Sequence, residues 1–195
     1  MDNEKEFIDE RHPVQQEYYM IMDSTSSDQE KKGKLRKLIK KDPNYFDPYI
    51  ELYTILAQEE KIEEAEKLLE EAYQKAIETI TDEEGHWPEK LIWGFLENRH
   101  IIRTILNYAI TLWVYEENDK ALDIFRKLLK SNLNDNIGAR HFILAIREGM
   151  SYFEYEDKFN KGGFYDNELM DWFDDNYKKY HDEFLEWEKH MDEYL

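Results

Sequence analysis

Apolar residues recur three and four positions apart along most of the chain, and this helical spacing constrains the fold more than any other feature. Short polar breaks separate the apolar stretches, and only seven Gly and four Pro occur in 195 residues. So few turn-forming residues argue against a sandwich or barrel with many tight turns, whereas the excess of Glu, Lys and Leu favours helices. We therefore expect an all-α protein.

Capping residues predict where several helices begin. Ser27 and Glu30 have the spacing of a capping box, in which each residue accepts a hydrogen bond from the backbone of the other. Asp47, Asp119 and Asp166 each precede an apolar stretch of helical period, so we expect their side chains to cap helices.

Two stretches of the chain share one arrangement of large and small apolar residues. In the first, the positions are Tyr49, Leu52, Leu56, Ala65, Leu69 and Ala72. In the second, they are Ile105, Tyr108, Ala109, Leu112, Ala121, Phe125 and Leu128. A small residue such as Ala65 or Ala121 lets the second helix of a pair lie close to the first, while the larger side chains fill the space on either side.

This arrangement resembles the tetratricopeptide repeat, a helix-turn-helix unit of 34 residues. The resemblance covers about residues 28–148 and implies a right-handed α-solenoid of two full repeats flanked by half-units. An aromatic insertion at about 80–101 separates the repeats and contains Trp87, Trp93 and Phe95. We expect it either to fill the gap between the repeats or to form a lid over a groove.

Composition and periodicity divide the chain into three segments. Residues 1–26 form an acidic N-terminal segment with a short helix, 27–148 form the repeat domain, and 149–195 form a loop and an acidic C-terminal helix. The last helix is expected to run unbroken for about 28 residues and to cap the solenoid. Trp172 and Leu185 lie off its main apolar stripe, so a dimer seam is the alternative.

Charge limits the partners that we expect. The net charge is -19, and nine acids face two bases in residues 1–30 while fifteen acids face five bases in 148–195. Such a chain repels nucleic-acid phosphates. One segment, 31–41, carries seven bases and no acid, and is either a solvated helix face that answers the acidic tails or an anion-binding face.

The N-terminal residues are acidic, and no stretch approaches the roughly 20 apolar residues of a membrane helix. We therefore expect a cytoplasmic protein with no membrane partner. The absence of Cys excludes disulfides and thiolate zinc sites. Glu97 and His100 form one ExxH unit, whereas a di-iron site needs two such units and further carboxylates. The sequence predicts no catalytic residue, metal or cofactor, and hence no enzyme.

The first helices of tetratricopeptide units line a concave groove that binds peptides or partner helices. The resemblance places the partner-binding residues at Arg103, Asn107, Ile110, Arg140, His141, Leu144 and Arg147. Asn107 and His141 match positions that chaperone-docking members of the family use to hold a peptide carboxylate. Ile50 and Thr54 depart from that pattern in the first unit.

Two interpretations of these arginines remain open from the sequence. Their guanidinium groups bind carboxylates of a partner protein or peptide, or they pair with the chain's own acids, including the C-terminal segment folded back. The first interpretation predicts a non-catalytic protein–protein interaction adaptor. A self-associating protein, dimeric through its aromatic C-terminal helix, is the alternative, and a metal protein or enzyme built on Glu97 and His100 is a remote one.

Overall fold

The computed structural model describes residues 5–163 and 167–193, and every regular element within these ranges is helical. The α-helices are α1 (Gln15–Met22), α2 (Asp28–Lys41), α3 (Asp47–Gln58), α4 (Ile62–Ile80), α5 (Arg99–Val114), α6 (Asn118–Ser131), α7 (Ala139–Arg147), α8 (Tyr152–Phe159), α9 (Asn167–Asn176) and α10 (His181–Asp192). Short 3-10 turns lie at Leu96–Asn98 and Tyr177–Tyr180. The all-α expectation is confirmed. Within the described ranges, none of the helices has both the length and the apolar character that a membrane crossing requires.

The chain folds as two compact units, Met1–Tyr108 and Ala109–Leu195. In the first unit α1, α2, α3 and α4 pack in chain order, each against the next. In the second unit α6 packs against α7, α9 lies on α7, and α10 returns to α6. Packing between successive helices is compatible with helix-turn-helix repeats. The handedness of a solenoid and the three-segment division stay predictions.

Apart from Tyr108, which is half-buried, the small and large positions of the repeat pattern lie in the core. Tyr49, Ala65 and Leu69 in the first unit are at most 1% exposed, and Ala121 and Phe125 in the second are fully buried. Because an alanine has only a methyl group, α3 and α4 approach closely enough for the larger side chains to interlock around it. These core predictions are confirmed.

The predicted caps have a mixed outcome. Ser27 and Glu30 form the capping box, with Ser27 Oγ accepting from the Glu30 amide at 3.4 Å and the Glu30 carboxylate accepting from the Ser27 amide at 3.1 Å. The prediction for Asp47 is wrong, since Phe46 is the N-cap of α3 and the Asp47 carboxylate binds a guanidinium instead. Asp119 lies inside the first turn of α6 and caps nothing. Asp166 lies outside the described residues.

Helix α8 was not predicted, although its start is visible in the sequence. Ser151 and Glu154 form a second capping box of the same spacing as the first. The helix buries Tyr155 and Phe159, and the Tyr155 ring lies 5.5 Å from the ring of Trp113. The capping box was the local signal that could have identified this helix.

The prediction of one unbroken C-terminal helix is wrong, because the 3-10 turn at Tyr177–Tyr180 separates α9 from α10. In a straight helix Phe173 and Phe184 would lie about 16 Å apart along the axis, at 1.5 Å per residue. In the structure their ring centroids are 5.3 Å apart, and Phe173 also contacts Trp187 at 5.4 Å. The break lets the two ends of one apolar stripe bury each other.

We expect Ala65→Leu to lower the free energy of unfolding by about 1–3 kcal/mol, because three extra carbons must fit between α3 and α4. Chemical denaturation followed by circular dichroism measures the change. Glu63→Leu introduces the same side chain at an exposed position of α4 and serves as the control. Equal stability of the two variants would contradict the close packing of Ala65.

Candidate functional site

Residues 5–12 lie across the first unit as an extended strap that the sequence analysis did not identify. The Phe7 amide donates to the Lys90 carbonyl at 2.9 Å, and the Lys90 amide donates to the Lys5 carbonyl at 3.3 Å. The strap therefore pairs with the aromatic insertion, which was expected to fill a gap or to cover a groove. Within this unit, the insertion supplies the backbone that holds the strap.

Asn98 clamps the strap to the insertion. It is fully buried, and its Oδ1 accepts from the Asp9 amide at 2.9 Å. Its Nδ2 donates to the carbonyls of Phe7 at 2.9 Å and Ile92 at 3.3 Å. Because a buried amide is costly unless it is hydrogen-bonded, this set of contacts specifies one position of the strap.

The strap delivers two side chains to a buried cluster of imidazoles and carboxylates. Asp9 Oδ2 lies 3.1 Å from His12 Nε2 and 2.8 Å from His100 Nε2, and His12 Nδ1 lies 2.8 Å from Asp42 Oδ2. The side chains of Asp9, His12 and His100 are at most 8% exposed. Tyr45 packs its ring against both histidines, at 5.3 Å from His12 and 4.9 Å from His100.

The protonation of the cluster follows from these contacts. Burial alone lowers the pKa of His12, but the hydrogen bonds and charges of Asp9 and Asp42 raise it to about 9. Burial alone raises the pKa of Asp9, but the hydrogen bonds from His100 and His12 hold it well below its usual range. At neutral pH His12 is therefore an imidazolium between two carboxylates.

Asp9, His12 and His100 bring three ligand atoms within 4.8 Å of one another, which is the kind of group that holds a metal ion. The hydrogen bonds of His100 disfavour this role. The Phe46 amide donates to His100 Nδ1 at 3.1 Å, so the ring's proton lies on Nε2, where it donates to Asp9. A metal at Nε2 would displace that proton and leave two donors facing each other at Nδ1. The cluster therefore fits an ion pair better than a metal centre.

Arg103, one of the predicted partner-binding residues, is held by an acid of its own unit. Its Nε lies 2.9 Å from Asp47 Oδ1 and its Nη2 lies 2.6 Å from Asp47 Oδ2, and Tyr45 donates to the same carboxylate at 2.9 Å. The Arg103 side chain is 35% exposed and lies 5.8 Å from the Trp93 ring. Asn107 Nδ2 donates to the Arg103 carbonyl at 2.8 Å, one helical turn away. The first unit therefore places Arg103 and Asn107 side by side at its surface.

In the second unit, Arg140 is held between an acid and two aromatic rings. Its Nη1 donates to the buried carboxylate of Asp135 at 2.8 Å. Asp135 also accepts a hydrogen bond from the Ala139 amide at 2.7 Å, so that it satisfies a backbone donor at the start of α7. The Arg140 guanidinium lies 5.3 Å from the Phe173 ring and 5.2 Å from the Trp187 ring. These are cation–π distances.

The other predicted residues of α7 are also covered by the C-terminal helices. Arg147 hydrogen-bonds Glu183 and lies 4.8 Å from the Tyr180 ring, while the Tyr180 hydroxyl donates to the Arg147 carbonyl at 2.9 Å. His141 meets the Phe173 ring edge-on at 5.2 Å, and burial together with the charge of Arg140 lowers its pKa to about 3.

Leu144 is fully buried, and Ile110 is half-buried in the same unit.

Three of the seven predicted residues, Arg103, Arg140 and Arg147, bind carboxylates of the chain itself. The sequence left open that these arginines pair with the C-terminal segment, but it did not single out Glu183 or the aromatic residues opposite α7 as their partners. The spacing of those aromatic residues is visible in the sequence, where it indicates a capping helix or a dimer surface rather than partners of arginine.

Comparison with known proteins adds no relative. No family model, no curated protein and no solved structure matches the chain. The tetratricopeptide interpretation therefore stays a resemblance based on residue spacing.

We expect His12→Gln to lower the free energy of unfolding by about 3 kcal/mol at pH 6, because the buried carboxylate of Asp9 and the half-buried carboxylate of Asp42 lose their cation. The folded pKa of His12 is raised from 6.5 to about 9, so its stabilisation is complete below pH 6.5 and is lost as the pH rises through 9. Urea unfolding at pH 6, 8 and 10 should show the difference between native protein and variant shrinking with pH. His86→Gln, at an exposed histidine, is the control. A difference independent of pH would argue against the charged state of His12.

Proposed function

We propose that this protein is a non-catalytic protein–protein interaction module that binds an acidic, aromatic helix or peptide of a partner protein. In this proposal its helices form a right-handed tetratricopeptide-like solenoid. The observation that supports it is the face of α7 in the second unit. That face holds residues 167–193 of the same chain through arginine–carboxylate pairs and aromatic contacts.

The contacts on α7 are those that carry binding energy between proteins. Arg, Trp and Tyr dominate the energetic centres of protein interfaces, and charge-assisted hydrogen bonds are roughly twice as strong as neutral ones. Arg140 lies against Phe173 and Trp187, and Arg147 binds Glu183 beside Tyr180. A helix of similar chemistry from another protein would find the same complementary groups.

In the first unit, Arg103 is oriented for a ligand before the ligand arrives. Asp47 binds its Nε and Nη2 atoms, which prevents the guanidinium from rotating. Among the described residues no acceptor lies on Nη1, so that this nitrogen can donate to a partner's carboxylate or carbonyl oxygen. Because the side chain is already ordered by its fold, binding costs less conformational entropy.

A second candidate function is self-association through α10. Leu185 and Met191 on this helix are 36% and 39% exposed, and Leu185 borders a surface depression next to Leu129 and Leu133 of the second unit. Exposed apolar side chains beside a depression are typical of surfaces that pair with another molecule. Analytical ultracentrifugation over a range of concentrations distinguishes this candidate, because it requires a dimer.

We expect Arg147→Gln and Arg103→Gln to reduce recovery of a bound partner at least tenfold in affinity capture from native lysate. Each change removes a charge that the proposal assigns to partner binding but keeps a polar side chain of similar length. Quantitative mass spectrometry compares the recovered proteins.

Arg36→Gln is the matched control, because Arg36 pairs with Glu64 on the exposed face of α2 and is not one of the proposed residues. Thermal unfolding verifies that all three variants are folded. Recovery of the same proteins in equal amounts by the native protein and every variant would count against the proposed function.

A further inference from the structure

The face of α7 is defined here by Arg140, His141, Leu144 and Arg147, and the C-terminal segment by residues 167–193. These two surfaces meet along one line of side chains. Phe173 and Trp187 enclose the guanidinium of Arg140, and Phe173 also covers the ring of His141. A face with the properties of a binding site is thus occupied by the chain itself.

Charge complementarity fixes the register of this contact. The C-terminal segment has ten acids and three lysines, yet only one of its acids, Glu183, is both nearly buried and paired with arginines. Arg126 of α6 donates its Nε to Glu183 Oε2 at 2.7 Å, and Arg147 of α7 binds the other oxygen. The two arginines are 45% and 32% exposed, so water and salt can reach the cationic side of the pair.

Two features of the C-terminal segment favour its detachment from the face of α7. One side of it is buried through Phe173 and Phe184, whereas Met170 and Leu185 on its other sides are exposed. Gly162 and Gly163, a few residues before the segment along the chain, are exposed and have φ angles of +73° and +90°. No heavy atom lies within 4 Å of where a Cβ would be at either glycine, so the space around these two residues is open.

We propose that the face of α7 is a binding site for a partner helix with the pattern Tyr-x-x-Glu-Phe-x-x-Trp, and that the C-terminal segment is its built-in competitor. In this chain Tyr180 and Glu183 contact Arg147 and Trp187 contacts Arg140, while Phe184 is buried against Phe173 of the same segment. The inference rests on the proposed function and deepens it by naming the partner's chemistry. A partner binds at the cost of displacing the segment, so that the free protein has reduced affinity.

The test uses the full chain and a fluorescent synthetic peptide of residues 167–193. In a Glu183→Lys chain the resident segment meets Arg126 and Arg147 with the wrong charge, which weakens its hold on the face of α7. We expect this variant to bind the peptide at least tenfold more tightly than the native chain does, measured by fluorescence anisotropy.

The matched control is Glu186→Lys, which makes the same charge change at an exposed residue of α10. This variant should bind the peptide like the native chain. A peptide that itself carries the Glu183→Lys substitution should lose at least tenfold in affinity for the Glu183→Lys chain, because it cannot pair with the arginines. A folded Glu183→Lys chain that fails to bind the native peptide would overturn the inference.

Hydrogen exchange on the native chain keeps the inference testable if Glu183→Lys does not fold. We expect the amides of α10 to exchange at least tenfold faster than those of α7, because the segment opens without global unfolding. Equal rates would make the segment a permanent part of the core and would overturn the inference. If the native chain forms a dimer that the peptide dissociates, the inference would also be overturned. The C-terminal segment of one chain would then bind the face of α7 of a second copy.

These outcomes separate the inference from the proposed function. If a partner is captured only when Arg147 is present, and the peptide does not bind, the proposed function is supported and the inference of a built-in competitor is overturned. Binding of the peptide, without any partner that depends on Arg147, supports the competitor and counts against the proposed function.

Discussion

The need to neutralise buried carboxylates governs how this acidic chain folds. Asp9, Asp47, Asp135 and Glu183 have side-chain exposures of 8%, 5%, 0% and 7%. A buried charge without a partner costs several kcal/mol, so each of these acids must meet a base or several donors. Two of the four, Asp47 and Glu183, find their cation more than thirty residues away along the chain, and Asp9 accepts a further hydrogen bond from His100, 91 positions away, so these contacts join distant segments. The strap, the start of α3 and the C-terminal helices are all positioned in this way.

Much of the helical framework could be predicted from the sequence, because its signals are local. The burial of Ala65 and Leu69 follows from spacing along one helix, and the capping box of Ser27 involves residues only three apart. The cap predicted at Asp47 failed because its carboxylate was drawn to Arg103, which lies 56 positions away. The break between α9 and α10 was missed for a similar reason. It depends on aromatic residues that meet only once the chain turns back.

In the candidate site, too, the sequence predicts some features and not others. The repeat pattern identified Arg103, Arg140 and Arg147 as notable cations, and the structure gives each a role in a charged contact. Their partners could not be derived, because dozens of acids in this sequence are equivalent until the fold brings one of them close. The cluster of Asp9 and His12 was invisible for another reason. It depends on an extended strap that carries no periodic pattern of its own.

The strap also has a consequence for synthesis of the protein. The hydrogen bonds of Asp9 to Asn98 and His100 join residues 89 and 91 positions apart. At roughly 5–20 residues per second, a ribosome needs on the order of 5–20 s to make the residues between them. During this interval helices α1 to α4 can form and pack, while Asp9 lacks the partners that bury it. The strap is thus made well before the residues that hold it, and it reaches its native position only after they have been made.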